Sequence, residues 1–217
     1  MSRERTASLL KFFWVGLFGL VFLMTGSSFA ACPDGMIAYW KLDETTPGTY
    51  EDFLNGKDGT GNANPTPAAG IVGGAQEFNG SDTGIEVPAH PSFGWYQNQL
   101  FSIEFWVKRD DAAPPTDNEV VIGRFESGSS LRWWVGITPA QVVQFRLTAT
   151  NNTPGIVTGT TNVVDGDWHH VVDMRVSGQI RLYVDGALDG TFDVTFGAGF
   201  ESTTAPLTIG FYNADFY

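Results

Sequence analysis

Two adjacent histidines follow a tryptophan in the segment GDWHHVV, residues 166–172, and Asp165 and Asp167 lie close by. Histidine and aspartate are common metal ligands and general acid–base groups, so the segment raises the question of a metal or catalytic site. Successive side chains of a β-strand point to opposite faces, which would send His169 and His170 apart. The two histidines are therefore not expected to share one metal ion.

The apolar residues of the same strand predict which histidine is buried. Trp168, Val172 and Met174 share the face of His170, so we expect His170 to lie in the core with a hydrogen-bond partner. His169 belongs to the opposite face, which we expect to meet solvent or a ligand.

Exposed aromatic rings are a second source of chemistry, because they offer stacking surfaces for sugars. Trp133 and Trp134 are adjacent in GSSLRWWVGI, where Trp133 follows the apolar positions and Trp134 the polar ones. Trp95 and Tyr96 lie in the predicted loop FGWYQNQ. We therefore take Trp134, Tyr96, Trp95 and His169 as candidate ligand-binding residues.

Paired carboxylates would be needed for glycoside hydrolysis, and a retaining enzyme holds them about 5–5.5 Å apart. Asp82 and Glu86 are four strand residues apart, or about 13 Å, which is too far. Asp165 and Asp167 flank Gly166 in a predicted turn, and no serine-hydrolase, metalloprotease or phosphate-loop motif occurs. We expect this segment not to be an enzyme, while a longer chain could carry activity elsewhere.

The elements that position these residues are predicted to be strands. Period-two alternation recurs in MIAYWKL, FSIEFWVKR, QVVQFRL and GQIRLYVDG, and no amphipathic helix pattern follows residue 31. Asp185-Gly186 is a strong hairpin signal, and residues 55–70 and 109–119 are predicted as long loops. Ten or eleven short strands indicate an all-β, antiparallel two-sheet β-sandwich of jelly-roll type.

The N-terminus is typical of a secretory signal peptide, predicted over residues 1–30 with the domain at 31–217. A basic start precedes an apolar run from Phe12 to Met24 and small residues before the cleavage site. An uncleaved anchor and a lipid anchor at Cys32 are the alternatives, and either would be the chain's contact with a membrane. We expect a secreted, extracellular, cell-surface or periplasmic protein.

The charge balance bears on partners. The chain carries 12 Lys and Arg against 24 Asp and Glu, a net charge of -12. A nucleic-acid ligand would require basic residues to meet its phosphates, so nucleic acid is excluded as the expected partner.

Five segments in order resemble the laminin G-like jelly-roll domain of the concanavalin A-like lectin/glucanase superfamily. They are GMIAYWKLDE (35–44), NGKDGTG (55–61), GAQEFNGSDTGIEVP (74–88), FSIEFWVKRD (101–110), and GDWHHVV together with IRLYVDG (180–186). In that family another strand follows the position of Tyr217. The resemblance therefore implies a domain lacking its final strand, and less stable than a longer form.

The resemblance also implies a structural calcium ion, for which Asp43 is the best carboxylate and Asn79 and Asp82 are further candidates. It favours an exported, non-enzymatic recognition module that binds a glycan or an extracellular protein. The alternatives are an accessory domain of a secreted glycoside hydrolase and an adhesive or structural surface protein.

Overall fold

The computed structural model describes residues 32–54, 56–110 and 113–212. The predicted signal peptide lies outside these residues, and the chain from Gly35 onward forms one compact unit. No helix within the described ranges is long and apolar enough to span a membrane. One 3-10 turn is described, at Pro91–Phe93.

Strands are the main regular secondary structure of the described chain. In chain order they are β1 (Thr49–Tyr50), β2 (Gly59–Asn62), β3 (Thr66–Ala69), β4 (Gly74–Glu77), β5 (Gly84–Val87), β6 (Phe101–Lys108), β7 (Glu119–Phe125), β8 (Arg132–Ile137), β9 (Val142–Thr148), β10 (Pro154–Asn162), β11 (Trp168–Val176), β12 (Gln179–Val184), β13 (Ala187–Asp193) and β14 (Leu207–Ile209).

These strands form two large antiparallel sheets and a small hairpin. The first sheet has eight strands in the order β1-β2-β5-β14-β7-β8-β9-β10, and the second has four in the order β13-β12-β11-β6. β3 and β4 pair separately. The two sheets share one hydrophobic core, which contains Trp133 and Phe145 from the first and Val171 and Leu182 from the second. The predicted all-β, antiparallel two-sheet sandwich is confirmed.

Alternation in the sequence becomes alternation in burial. In β6 the odd-numbered residues are half-buried and the even-numbered ones exposed. In β12 the even-numbered residues Ile180, Leu182 and Val184 are buried in the core and the odd-numbered ones are half-buried. The hairpin between β12 and β13 turns at Asp185-Gly186, where both residues have positive φ, of 50° and 79°. This is the backbone that an Asp-Gly hairpin turn requires.

The prediction of which histidine is buried was wrong. His169 is 7% exposed and lies on the core side of β11, whereas His170 is half-buried on the outward side. The neighbouring strands decide this orientation, because Val171 pairs with Phe105 of β6 and Val184 of β12, both core positions. β11 has apolar residues on both faces, so its own sequence could not determine the parity.

Two other predictions differ from the structure. Residues 55–70 are not one loop, because they contain β2 and β3. Residues 36–42 are not a regular strand: Trp40 forms a single bridge with Asp52. Even so, Ala38, Trp40 and Leu42 pack against the core, as the alternation of this segment predicts.

Candidate functional site

His169 joins two turns of the chain. Its Nδ1 lies 2.9 Å from Oδ2 of Asp185, in the β12–β13 hairpin, and its Nε2 lies 3.1 Å from Oδ1 of Asp165, in the turn before β11. Asp185 also accepts the backbone N–H of His170 through its other oxygen, at 2.9 Å. Both ring nitrogens of His169 therefore contact carboxylates, and neither is left to activate a nucleophile.

The electrostatics of this cluster favour a charged imidazole. Burial alone would lower the pKa of His169, but the hydrogen bonds and charges of Asp185 and Asp165 outweigh burial and raise it. The pKa of Asp185 is lowered, chiefly by the N–H of His170, and that of Asp165 chiefly by the N–H of Asp167. The cluster is an ion-pair network in which a buried His169 contacts two exposed aspartates, and it connects GDWHHVV to IRLYVDG.

Two of the predicted stacking residues are buried. Trp95 is 4% exposed; its ring stacks on Phe101 at 3.7 Å and lies 5.3 Å from Trp133. Trp133 belongs to the core, as predicted. The expectation that the ring of Trp95 is free for a ligand was wrong, because the loop that carries it folds over the end of the core.

Trp134 faces outward as predicted, but it is 6% exposed and packs with Val120, Phe125 and Tyr212. The opposite position on β7 is Gly123, and the ring of Tyr212 lies within 2.8 Å of where a Cβ on Gly123 would stand. A glycine there makes room for Tyr212 to cover the tryptophan. The expected exposure of Trp134 was therefore wrong, for a long-range reason that the local pattern does not contain.

Tyr96 keeps its predicted exposure, at 70%, and lies in the loop before β6. No contact joins Tyr96 to Trp134 or His169 in the part of the chain that the structure describes. The four candidate ligand-binding residues are thus distributed over the molecule and do not form one site.

The candidate calcium ligands lie in two separate turns. Asp43 accepts the N–H of Gly74 at 2.7 Å. Asn79 Oδ1 accepts the N–H groups of Ser81, Asp82 and Thr83, and Asn79 Nδ2 donates to Asp82 Oδ1 at 2.7 Å. A calcium ion at Asn79 and Asp82 would have to displace these bonds. No group of three or more His, Cys, Asp or Glu residues converges as a metal site within the described residues.

An aromatic surface that was not singled out from the sequence lies on the outward side of the four-stranded sheet. The Trp106 ring is 48% exposed and lies 4.9 Å from the ring of His170, its cross-strand partner. His170 Nε2 contacts Oε1 of Glu104 at 3.0 Å. Beside the Trp106–His170 pair, a row of cross-strand neighbours runs over all four strands: Glu104, Val172, Tyr183 and Leu188. We call the surface formed by these six residues the Trp106 face.

The sequence did contain a signal for this face. Alternation in FSIEFWVKR places Glu104, Trp106 and Lys108 together on the polar side of the strand. A tryptophan on the polar side of an amphipathic strand is the residue whose exposure needs an explanation.

A groove of about 750 Å³ lies on the other sheet. Its walls come from the outward side of β2, β5 and β7 and from residues 204–206. Of the three aromatic rings that line it, those of Phe211 and Tyr212 are buried, at 6% and 8% exposure, and that of Phe125 is half-buried. Two carboxylates, Glu86 and Glu126, also line the groove. The groove therefore offers acceptors but no exposed ring.

Residues 79–216 match the model of a laminin G family described as the concanavalin A-like lectin/glucanases superfamily. The match extends over more than half of the chain, and the chain belongs to this superfamily. No curated protein matches the sequence significantly.

One solved structure shows the same fold, and two others are more weakly similar. The binding domain of Paraclostridial Mosquitocidal Protein 1 superposes with a TM-score of 0.62 at 12% identity, over 77% of this chain and 44% of that chain. Domain 4 of AbnA, a GH43 extracellular arabinanase from Geobacillus stearothermophilus solved with arabinotriose, has a TM-score of 0.49 at 20% identity, over 67% and 66%. Domains LG4-5 of the mouse laminin alpha1 chain have a TM-score of 0.44 at 17% identity, over 59% and 31%. The chain spans less than two thirds of each.

Proposed function

We propose that this domain is a non-enzymatic recognition module that binds carbohydrate on the Trp106 face. The observation that carries the proposal is the half-exposed indole of Trp106, flanked by the imidazole of His170 and the carboxylate of Glu104. An exposed indole stacks on the apolar face of a sugar ring, and neighbouring polar groups orient its hydroxyls.

Exposure separates the Trp106 face from the groove on the other sheet. Stacking requires a ring that a ligand can reach, and Phe211 and Tyr212 are almost fully covered. On the Trp106 face the aromatic side chain is available without rearrangement. The sheet also suits an extended glycan chain, because the row next to Trp106 and His170 runs across all four strands.

The arrangement of the acidic groups favours binding over catalysis. Asp165 and Asp185 both form ion pairs with the imidazole of His169. Asp173 is fully buried in the core, where no substrate reaches it. Glu104 contacts His170, which leaves it as an orienting acceptor next to Trp106.

Export completes the proposal and rests on the sequence pattern of residues 1–30. A structural calcium ion at Asp43 stays a prediction of the family resemblance, and recognition at the Trp106 face does not depend on it. Calorimetric titration with Ca²⁺ checks it, and an absence of binding heat would contradict it.

Substitution of Trp106 tests the function. We expect Trp106→Ala to weaken binding to the glycans that the wild-type domain retains on a glycan array by at least about tenfold, because one stacked ring contributes about 0.5–1.5 kcal/mol beyond the area it buries. Affinity electrophoresis or calorimetry with the best array ligand gives the ratio.

Tyr96→Ala is the matched control, since it removes another exposed ring that lies in a loop before β6. Equal losses for both variants would contradict a site on the Trp106 face. A wild-type domain that binds no glycan on the array would overturn the carbohydrate proposal and favour a protein ligand on the same surface.

A further inference from the structure

Two arginines lie side by side on the outward side of the eight-stranded sheet, opposite the Trp106 face. The register pairs Arg132 of β8 with Thr148 of β9, and Trp134 of β8 with Arg146 of β9. Residues paired in this way share a face, so Arg132 and Arg146 are diagonal cross-strand neighbours. Such positions are within about 7–8 Å of each other, well inside the length of two arginine side chains.

The charge of this arginine pair, Arg132 and Arg146, is not neutralised by the described residues. The ion pairs among the described residues involve Lys57, Lys108, Arg109, His169 and His170 instead. Glu126, which follows β7, instead accepts the hydroxyl groups of Ser202 and Thr204 at 2.6 and 2.5 Å. Two adjacent guanidinium groups without a counter-charge form a local positive site in a chain of net charge -12.

Burial makes this arrangement energetically unusual. Both arginines are half-buried, and the Nε–H group of each is inaccessible to solvent and lacks a hydrogen-bond partner. Thr148 Oγ1, on the same face, is buried and unpartnered as well. Buried donors of this kind are normally satisfied, and a bound water molecule or ion is one explanation for those that are not.

Aromatic side chains surround the pair. Trp134 is the cross-strand neighbour of Arg146, and Phe125 is that of Arg132. Tyr212 is close enough to both arginines that their charges act to lower its pKa, although burial outweighs them and raises it. These rings reduce the local dielectric screening, which strengthens the attraction of the guanidinium groups for an anion.

We propose that Arg132 and Arg146 form a binding site for one anionic group, a carboxylate or a sulfate, carried by an acidic glycan. The guanidinium group presents its N–H donors as a planar fork that matches two oxygens of such a group. The acidic surface elsewhere repels a dense polyanion, so a ligand with separated charges suits the chain better than nucleic acid. The site lies on a different sheet from Trp106 and does not depend on the proposed function.

The test uses the full chain and three probes of low charge density: digalacturonate, its dimethyl ester, and a monosulfated disaccharide. We expect binding of at least one charged probe, no binding of the ester, and a loss of at least about tenfold for Arg132→Gln and Arg146→Gln. Binding should also weaken as salt is raised. The charged probe that binds more tightly identifies carboxylate or sulfate as the recognised group.

Arg181→Gln is the matched control, because Arg181 is also half-buried and outward-facing but lies on the four-stranded sheet. An equal loss in this variant would overturn the proposal, since it would show attraction to overall charge. Failure of the wild type to bind either charged probe would overturn it too.

Protein stability provides a second measurement in case a glutamine variant folds poorly. Millimolar galacturonate or a monosulfated sugar, compared with chloride at equal ionic strength, should raise the melting temperature of the wild type. Arg146→Lys should keep the fold and lose most of that increase, because lysine lacks the planar fork. An unchanged increase in Arg146→Lys would contradict bidentate recognition.

Discussion

At the scale of single residues, Asp173 carries the least favourable environment in the described chain. It is fully buried at the centre of β11, and neither carboxylate oxygen has a hydrogen-bond partner. Its cross-strand neighbours are Ile103 and Leu182, both apolar. Burial without a partner disfavours the ionised form and raises the pKa of Asp173 well above its ordinary value.

A raised pKa in the folded state makes stability depend on pH. Between pH 4 and the raised pKa the unfolded carboxyl group is ionised while the folded one keeps its proton, so folding binds a proton and stability falls as the pH rises. We expect Asp173→Asn to remove this dependence. The free energy of unfolding of the variant relative to wild type should increase by up to about 1.4 kcal/mol per pH unit above pH 4.

Urea unfolding at several pH values measures this difference. Asp193→Asn is the control, because Asp193 is an exposed carboxylate of β13 that contacts Gln179. A difference between Asp173→Asn and wild type that stays constant from pH 3 to pH 7 would contradict a buried, protonated Asp173.

The same strand shows what residue patterns can and cannot predict. Alternation correctly placed His169 and His170 on opposite faces of the strand. Alternation could not show which face of β11 is buried, because Val171 and Val172 lie on opposite faces and are equally apolar. Pairing of Val171 with the core positions Phe105 and Val184 decides which face points into the core. The ion pairs of His169 with Asp165 and Asp185 follow from that choice and were likewise not predictable.

At the scale of secondary-structure elements, two buried arginines stabilise irregular segments: the long connection between β13 and β14 and the chain between β5 and β6. Arg124 of β7 is completely buried and donates to the carbonyl groups of Phe93, Phe200, Ser202 and Ala205, at 2.6 to 3.4 Å. Arg175 of β11 donates to carbonyl groups of the loop before β6 and lies over the rings of Phe196 and Phe200.

Arg124 therefore satisfies backbone acceptors that the irregular connection cannot satisfy itself. Burial lowers its pKa to about 10, with Glu126 acting in the opposite direction, so it remains charged at neutral pH. We expect Arg124→Met to lower the free energy of unfolding by at least about 3 kcal/mol, because several carbonyl groups lose a charged donor in the core. Urea unfolding gives the value.

Hydrogen exchange should show the loss first in residues 199–206, the segment that Arg124 holds. Arg181→Met serves as the control, since the described hydrogen bond of Arg181 is to the Gln179 side chain. Similar destabilisation by the two substitutions would contradict the role of Arg124.

Most segments with regular alternation were predictable as strands, although residues 36–42 form only a single bridge, and segments held by single side chains were not predictable. β6, β9 and β12 appear where alternation places them. The path of residues 194–206 depends on a buried arginine from a strand about 80 residues earlier, as in the Arg124–Ala205 bond. No local pattern contains such a contact, and the covering of Trp134 by Tyr212 is long-range in the same way.

At the scale of the whole molecule, the sandwich presents two outward sides of different chemistry. The four-stranded sheet carries the Trp106 face, and the eight-stranded sheet carries the arginine pair. The shared core lies between them. The sequence predicts this architecture, because two sheets with one apolar face each must bury those faces against one another.

Two sites on opposite sides of a packed core should act independently. Substitutions at distant sites without shared partners usually have additive effects, within about 0.5 kcal/mol. We expect Trp106→Ala to leave binding of the acidic probe unchanged and Arg146→Gln to leave binding of a neutral glycan unchanged, so that the double variant shows both losses and no more. Raising the salt concentration should weaken binding of the acidic probe while binding of the neutral glycan persists, because only the former depends on unscreened charge.

Calorimetric titration of the single and double variants at two salt concentrations measures the affinity of each variant for each ligand. A loss of neutral-glycan binding in Arg146→Gln as large as that in Trp106→Ala would show instead that one ligand contacts both surfaces or that the two sheets are coupled.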